Sequence, residues 1–501
     1  MRLEVLRGHG ASDMEFVNFL VDEFWKLWPH LLTGTYFVTM IAATAHVVMY
    51  KKDSRAAIGW VGLVVMVPIF GALLYAVLGI NRVQRKAIKR RGGAAFRAIS
   101  APRYVVDRQF LEGALRETRH LVPLEQLIGK LTGRPLLYGN KLATLINGEQ
   151  AYPQMIEAID NAQQSVALAS YIFDNDRAGA MFADALARAV KRGVEVRVII
   201  DAVGSRYSFP SIVGRLRKSG VPVAQFLPTL MPGRFAYANL RSHRKILVTD
   251  GRLGFTGGLN IREGHDARFH PKHRILDHHF CIEGPVVAQL QEVFAEDWAF
   301  CTDEILESEK WFPVLEPKGN AMSRGISAGP DGDLDKRRLT LEGAISCAEE
   351  SICVLTPYFL PDSPLIGALN VAALRGVQVD IILPEANNLT LVKWASTALL
   401  WRVLERGCRV WLSPPPFDHT KLMVVDHTWV LLGSGNWDPR SLRLNFEFDV
   451  EVYDRQLASE VYKLCAGKRE RARNVTLADV DGRSVPVRLR DGVARLLTPY
   501  L

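Results

Sequence analysis

The spacing H-x-K-x(4)-D occurs twice in this chain, as His243, Lys245 and Asp250 and again as His419, Lys421 and Asp426. Each His and Lys stand two residues apart at the head of an apolar run, Ile246, Leu247, Val248 in one copy and Leu422, Met423, Val424, Val425 in the other. Such a run predicts a β-strand, in which residues two apart project from the same face. One face would therefore carry an imidazole, able to attack or to move a proton, beside an ammonium, able to hold an anion. Two such faces brought together suit a phosphodiester. One neutral imidazole attacks phosphorus to give a phosphohistidine, dividing a hard displacement into two easier ones. The opposite imidazole, protonated, serves the leaving alkoxide and then deprotonates the incoming alcohol.

The duplication continues beyond the triplet. Gly257, Gly258, Leu259 and Asn260 follow Asp250 at the spacing at which Gly433, Ser434, Gly435 and Asn436 follow Asp426. A single copy of so short a pattern is weak evidence, and two copies with matching flanks are specific. The bland reading, two ordinary core strands ending in turns, fails because buried strands seldom hold a His and a Lys side by side without partners. Lys245 and Lys421 are candidates to hold the non-bridging phosphoryl oxygens, where transition-state charge develops. Asn260, Asn436 and Ser434 are candidates for further hydrogen bonds there. Asp250 and Asp426 complete the candidate catalytic triplets. Five residues past each Lys, they are expected to fix the local backbone rather than to meet substrate.

The elements that carry these residues are duplicated as well. Ala158, Ala162 and Ser165 recur in spacing as Ala344, Ala348 and Ser351. Each set leads into an apolar segment, ending Ser170-Tyr171-Ile172-Phe173 in one half and Thr356-Pro357-Tyr358-Phe359 in the other. The stretch from Arg192 to Ile200 is mirrored from Arg375 to Leu383. Each half thus reads helix, strand, helix, Gly turn, strand and then the His/Lys strand. Strands alternating with helices predict an α/β sheet covered by helices. A repeat of this size is a duplicated domain rather than a solenoid, with one site between the halves.

These residues resemble the phospholipase D superfamily, whose signature is the paired H-x-K-x(4)-D motif, and within it the membrane-anchored bacterial cardiolipin synthases. The resemblance runs from about Lys51 to about Leu464. It includes Leu131-Thr132-Gly133-Arg134-Pro135-Leu136 with Gly139-Asn140, Arg241-Ser242 before the first motif, and Asp438-Pro439-Arg440-Ser441 with Asn445-Phe446-Glu447 after the second. Thr420 departs from the family's more common Ala, and Trp437 from an aliphatic residue. The resemblance implies two pseudo-symmetric α/β/α halves sharing one active site. It assigns the nucleophile to His243 and the acid/base role to His419, which the residues alone do not distinguish. Each imidazole needs a carboxylate to fix its tautomer, and the resemblance implies a crossed arrangement, Glu447 behind His243 and Asp277 behind His419. The implied reaction moves a phosphatidyl group between two phosphatidylglycerol molecules, giving cardiolipin and glycerol without metal or organic cofactor. Hydrolysis by the same site, another phosphatidyl transfer, a membrane-tethered nuclease and a scaffold that has lost its chemistry are the alternatives. The presence of both His weighs against the scaffold.

The N-terminal part selects among them. Residues 31–50 are interrupted only by His46, and residues 58–80 carry no charge. Each run is long enough for a hydrocarbon core of about 30 Å at 1.5 Å per residue, so a transmembrane hairpin is expected, and a cleaved leader is disfavoured by its distance from the start. Phe16, Phe19, Leu20, Phe24 and Leu27 fall at helical spacing and would either lie in the interface or extend the first span. The expected division is a membrane anchor over residues 1–95, a first half over 96–320 and a second over 321–501. Arg82, Arg85, Lys86, Lys89, Arg90 and Arg91 outnumber the basic residues of the Lys51–Arg55 link. The positive-inside tendency then places the large C-terminal part in the cytoplasm of a multi-pass cell-membrane protein. A net charge of +9 suits an anionic surface. Nucleic acid would suit that charge equally, and the hairpin is what favours lipid. Six scattered cysteines without C-x-x-C pairs argue against both a zinc site and a disulfide framework. His278-His279 beside Asp277 lack a framing ligand cluster. There is no Gly-rich phosphate loop, no dinucleotide fingerprint and no D-G-x(2)-A-R pattern of metal-dependent CDP-alcohol transferases.

Overall fold

A computed structural model describes residues 5–51, 54–79, 104–228, 240–270, 274–330 and 333–498. It divides into a unit over Met1–Arg82 and a unit over Val83–Leu501. The basic cluster from Arg82 to Arg91 lies outside the described residues.

In the first unit one helix runs from Val5 to Tyr50. Its Val21–Tyr50 portion, 30 residues long, is apolar and long enough to cross a membrane. The aromatic stretch upstream continues into this same helix. The expected second span does not form as one helix. It divides into Ser54–Met66 and Pro68–Leu74, followed by a π-helical turn over Tyr75–Gly79. Among the described residues only one helix is therefore long enough to span. The cause is Pro68, which lacks an N–H and crowds the residue before it. Val67 accordingly sits at φ −138° and ψ 72°, outside the helical region. The short helices still fold back on the first, burying Val47, Val64 and Tyr75 together.

Among the described residues the second unit is built on one continuous sheet of 16 strands. In the first half these are β1 (Leu137–Ile146), β2 (Ser165–Ser170), β3 (Glu195–Asp201), β4 (Val223–Phe226), β5 (Arg241–Ser242), β6 (Ile246–Thr249), β7 (Leu253–Gly257) and β9 (His278–Glu283), with β8 (Ile275–Leu276) in a separate two-stranded pair. The second half supplies β10 (Ala321–Ala328), β11 (Ser351–Leu355), β12 (Gln378–Pro384), β13 (Arg409–Ser413), β14 (Phe417–Asp418), β15 (Leu422–Val425), β16 (Trp429–Gly433), β17 (Asn445–Tyr453) and β18 (Arg473–Val475). From the centre outward the order is β1-β9-β7-β6-β2-β3-β4 on one side and β10-β17-β16-β15-β11-β12-β13-β18 on the other, with β5 paired to β17. The two halves repeat one topology and join where β1 and β10 pair antiparallel.

Parallel pairs β2–β3 and β11–β12 enclose crossover helices, Arg177–Lys191 and Ser363–Leu374. Each helix starts at an Asp, Asp176 or Asp362, whose carboxylate accepts a first-turn backbone N–H. The expected helix–strand–helix–strand order is present in both halves, with further helix and a further strand, β4 or β13, before each motif. Separate apolar cores lie under the outer helices of each half, one around Phe182 and Leu247 and one around Leu369 and Met423. A third core is shared. It gathers Phe226, Ile246 and Phe294 from the first half with Leu422, Phe448 and Val450 from the second. The halves are thus halves of one folding unit.

Candidate active site

The H-x-K residues do not lie inside strands, as the apolar runs suggested. His243 to Lys245 and His419 to Lys421 occupy extended segments immediately before β6 and β15. They are left outside the ladder because the two-residue strands that precede them pair across the molecule. β5 pairs in parallel with β17, matching Ser242 to Phe446, and His243 N–H donates to Phe446 O at 2.8 Å. β14 pairs in parallel with β8, matching Asp418 to Leu276, and His419 N–H donates to Leu276 O at 2.7 Å. Each lead-in strand therefore belongs to one half by sequence and to the other by hydrogen bonding.

This exchange sets which carboxylate meets which imidazole. The residue after Phe446 is Glu447, and its Oε2 accepts from His243 Nδ1 at 3.0 Å. The residue after Leu276 is Asp277, and its Oδ2 accepts from His419 Nδ1 at 2.7 Å. The crossed arrangement is present, and with Nδ1–H engaged each ring is left with Nε2 unprotonated for chemistry. Glu447 is fully buried rather than an exposed strand charge. It belongs to β17, where period-two alternation turns Glu447, Asp449 and Glu451 to one face and Phe446, Phe448, Val450 and Val452 to the shared core. Ser434 donates its hydroxyl to Glu447 Oε2 at 2.6 Å, so it orients the carboxylate instead of facing the cavity. The glycines after each motif make room for buried charged side chains. A Cβ on Gly258 would stand 2.1 Å from Asp277 Oδ1, and one on Gly435 would stand 2.0 Å from Arg337 Nε.

His243 and His419 line one cavity of about 180 Å³, together with Asn260 and Asn436. The two lysines do not reach into it. Lys245 donates to the carbonyl of His243 at 2.7 Å, and Lys421 to that of His419 at 2.5 Å, while its nitrogen also lies 3.1 Å from His419 Nε2. Asn260 offers its carbonyl oxygen to Ile172 N–H at 3.2 Å, and the carbonyl oxygen of Asn436 is buried without a hydrogen-bond partner. Asp250 and Asp426 are elsewhere. Asp250 accepts from the backbone N–H groups of Gln163, Gln164 and Ser165, and Asp426 from those of Glu349, Glu350 and Ser351 and from His120. Neither lines the cavity. They hold the turns into β2 and β11, a task for which a carboxylate with several lone pairs is suited.

Burial governs the electrostatics. It pushes His243 below the ordinary imidazole value against the pull of Glu447, and pushes His419 well below, helped by the charges of Lys421 and Lys245. Burial likewise brings Lys245 down to about 7 and lowers Lys421. Glu447 is depressed to about 2, because His243, Lys245 and the Ser434 hydroxyl outweigh its desolvation. Burial thus leaves both imidazoles neutral, and a phosphodiester anion placed between them would favour their protonated forms.

Several lining residues escaped the sequence reading as site residues. Tyr171 and Tyr358 sit at equivalent points of the two halves, with rings 5.1 Å from His243 and 6.2 Å from His419. Their signal was present in the repeated segments that end β2 and β11. Arg241, Asp438, Arg440 and Asn445 also line the cavity, on segments that had been noted only for their resemblance. His265, buried and pushed down to about 3 by its burial, has its ring 6.3 Å from that of His419 and gave no signal. Thr420, the departure from the usual Ala, donates to Asp418 at 2.5 Å and lies 2.9 Å from His278 Nδ1. His278 and His279 form no metal site, and among the described residues no group of three His, Cys, Asp or Glu side chains converges to hold an ion.

A family model described as cardiolipin synthase, PLD-like domain, matches residues 155–298 and 341–466. One described as phospholipase D-nuclease N-terminal matches residues 38–79. A cardiolipin synthase of Oceanobacillus iheyensis is 30% identical over 481 residues, covering 94% of this chain and 99% of that protein. One of Alkalihalophilus pseudofirmus is 31% identical over 461 residues, covering 90% of each. Among solved structures, the phosphatidylserine synthase of Haemophilus influenzae superposes with a TM-score of 0.58 at 17% identity, over 76% of this chain and all of that one. That likeness concerns the fold alone.

Proposed function

The chain belongs to the phospholipase D-like cardiolipin synthase family, and from that premise we propose that it transfers a phosphatidyl group from one phosphatidylglycerol to another, giving cardiolipin and glycerol. The observation that carries this reading is the pair of imidazoles on one cavity, each backed by a buried carboxylate from the opposite half.

In this reading His243 Nε2 attacks phosphorus of the donor lipid while Glu447 accepts its Nδ1–H and balances the developing cation. The bond from phosphorus to the glycerol oxygen breaks, and His419 donates a proton to that oxygen. Burial holds His419 neutral, so the anionic substrate is what raises its proton affinity to the level the step requires. Lys245 and Lys421 release their own backbone carbonyls to hold the phosphoryl oxygens. In the second step His419 takes the proton from a primary hydroxyl of a second phosphatidylglycerol. That oxygen attacks phosphorus and the bond to His243 breaks.

The protein is membrane-associated, with one helix able to cross a bilayer. A second crossing by the Pro-interrupted segment, and a cytoplasmic position for the Val83–Leu501 unit, complete the proposal and rest on the charge count around the spans. The anchor keeps the site near lipid hydroxyls, at a concentration no soluble acceptor matches. Purified protein in phosphatidylglycerol vesicles is expected to release glycerol and form cardiolipin, and added glycerol to drive the reaction backwards. Phosphatidic acid as the main product, with no effect of glycerol, would make it a hydrolase instead.

A further inference from the structure

The C-terminal helix Val485–Leu496 is amphipathic twice over. One face, with Ala494 at its centre, packs on Val392, Ala395, Leu399 and Leu360. The opposite face carries Val485, Leu489 and Val493 at successive turns and Leu496 beside them, exposed by 75, 67, 52 and 71%. A scattered exposed Leu needs no explanation, but a continuous stripe along one helix does. Exposed Arg488 and Arg495 flank the stripe on one edge, and Arg490, stacked 4.3 Å from the Trp394 ring, marks the other. The one carboxylate of the helix, Asp491, is buried and bonded to Arg483 and Arg490.

The stripe continues toward the cavity. The helix is seated on Thr390–Thr397, at whose start Leu389 and Leu391 are 46 and 45% exposed. Leu389 and Val392 line the cavity wall on the His419 side, next to Tyr358 and Asn388. On the other half Phe209 is fully exposed, two residues from Tyr207, which also lines the cavity. Exposed apolar side chains on both halves therefore lie at or close in sequence to residues that line the cavity.

From this we infer that the C-terminal helix, the Leu389–Leu391 turn and Phe209 form a bilayer-docking surface that presses the cavity mouth into the headgroup region of an anionic membrane. An aliphatic face edged by arginines is the pattern of a helix lying in the interface plane, its apolar side among the upper acyl chains and its guanidiniums on phosphates. A second copy of the chain would be a poorer occupant, because a twofold contact would set the arginine edges against one another. The consequence is that a lipid enters the cavity without leaving the bilayer. The inference rests on the lipid-transfer reading for its purpose, while its physical content, contact with acyl chains, is independent of it.

The test uses the full-length protein reconstituted in phosphatidylglycerol vesicles. A tryptophan introduced as Val493→Trp should show quenching by brominated acyl chains beyond that of the unmodified protein, and quenching equal to the unmodified protein would overturn the inference. The double variant Leu489→Glu/Val493→Glu should turn over vesicle lipid on the order of tenfold more slowly, the anchor limiting the loss. It should keep its rate on short-chain phosphatidylglycerol dispersed as monomers. Equal losses on both substrates would indicate damage to the site and refute a docking role, as would association of two chains that the variant abolishes. If the unmodified protein forms no cardiolipin while Val493→Trp is quenched, the functional reading fails and the docking surface stands.

Discussion

Each imidazole is backed by a buried acid. Nδ1–H of His243 is held at 3.0 Å by Glu447 and that of His419 at 2.7 Å by Asp277. Glu447→Gln keeps the shape but lets the amide donate to Nδ1, favouring the tautomer whose Nε2 carries the proton. The rate should fall about 10³- to 10⁴-fold with the fold intact, measured as cardiolipin formation beside an unchanged circular dichroism spectrum. Asp277→Asn should act alike through His419, and near-normal rates in either variant would remove that carboxylate from the mechanism. Titration offers a second check. His243 acts when neutral, and burial has lowered its pKa, so the acid limb of kcat/KM should lie below pH 6.5. His419 must gain a proton that burial denies it, and Lys245 binds phosphate when charged and loses its proton as pH rises through about 7, so kcat/KM is expected to fall as pH rises through neutrality. A flat profile from pH 6 to 9 would show that its ammonium carries no weight.

At the scale of elements, the two repeated triplets split their duties. The two His line the cavity and each Lys is drawn back to the carbonyl of its His, whereas Asp250 and Asp426 hold the turns into β2 and β11 by three backbone N–H groups each. Replacing Asp426 by Ala strands those donors in a buried place and should cost about 2–4 kcal/mol. Asp250→Ala should cost less, since its carboxylate is partly exposed and water can substitute. Chemical denaturation reads both, and activity per folded molecule should stay within a few-fold of the unmodified protein. A complete loss of turnover in stably folded Asp426→Ala would return that residue to the chemistry.

For the whole molecule, the sidedness of the anchor decides which leaflet supplies lipid. The lysines and arginines after residue 80 outnumber those of the link between the apolar runs, so the Val83–Leu501 unit is expected inside. Protease added to intact cells should leave it whole and should digest it once the membrane is opened. Cleavage in intact cells would reverse the assignment.

The sequence by itself determined the chemistry and the duplication. His243, Lys245, His419 and Lys421 declare a two-imidazole phosphodiester site by type and spacing, and the repeated flanks declare two like halves. Such signals are local, written within about twenty residues, which is where periodicity and motif spacing have force. The apolar runs at residues 31–50 and 58–80 were local too, but the interruption at Pro68 outweighed hydropathy, because a missing N–H and a steric clash act whatever the solvent. What only the tertiary structure decided is who stands behind whom. Glu447 lies 204 residues from His243, and Asp277 lies 142 from His419. Their partners follow from β5 joining β17 and β14 joining β8, pairings that no periodicity records because each strand is only two residues deep in its ladder. The retreat of both lysines onto their own backbone, the burial that neutralises both imidazoles, and the exposure of apolar side chains near the cavity-lining residues likewise depend on what the fold packs around each group. Desolvation is a property of surroundings, and surroundings are assembled from distant parts of the chain.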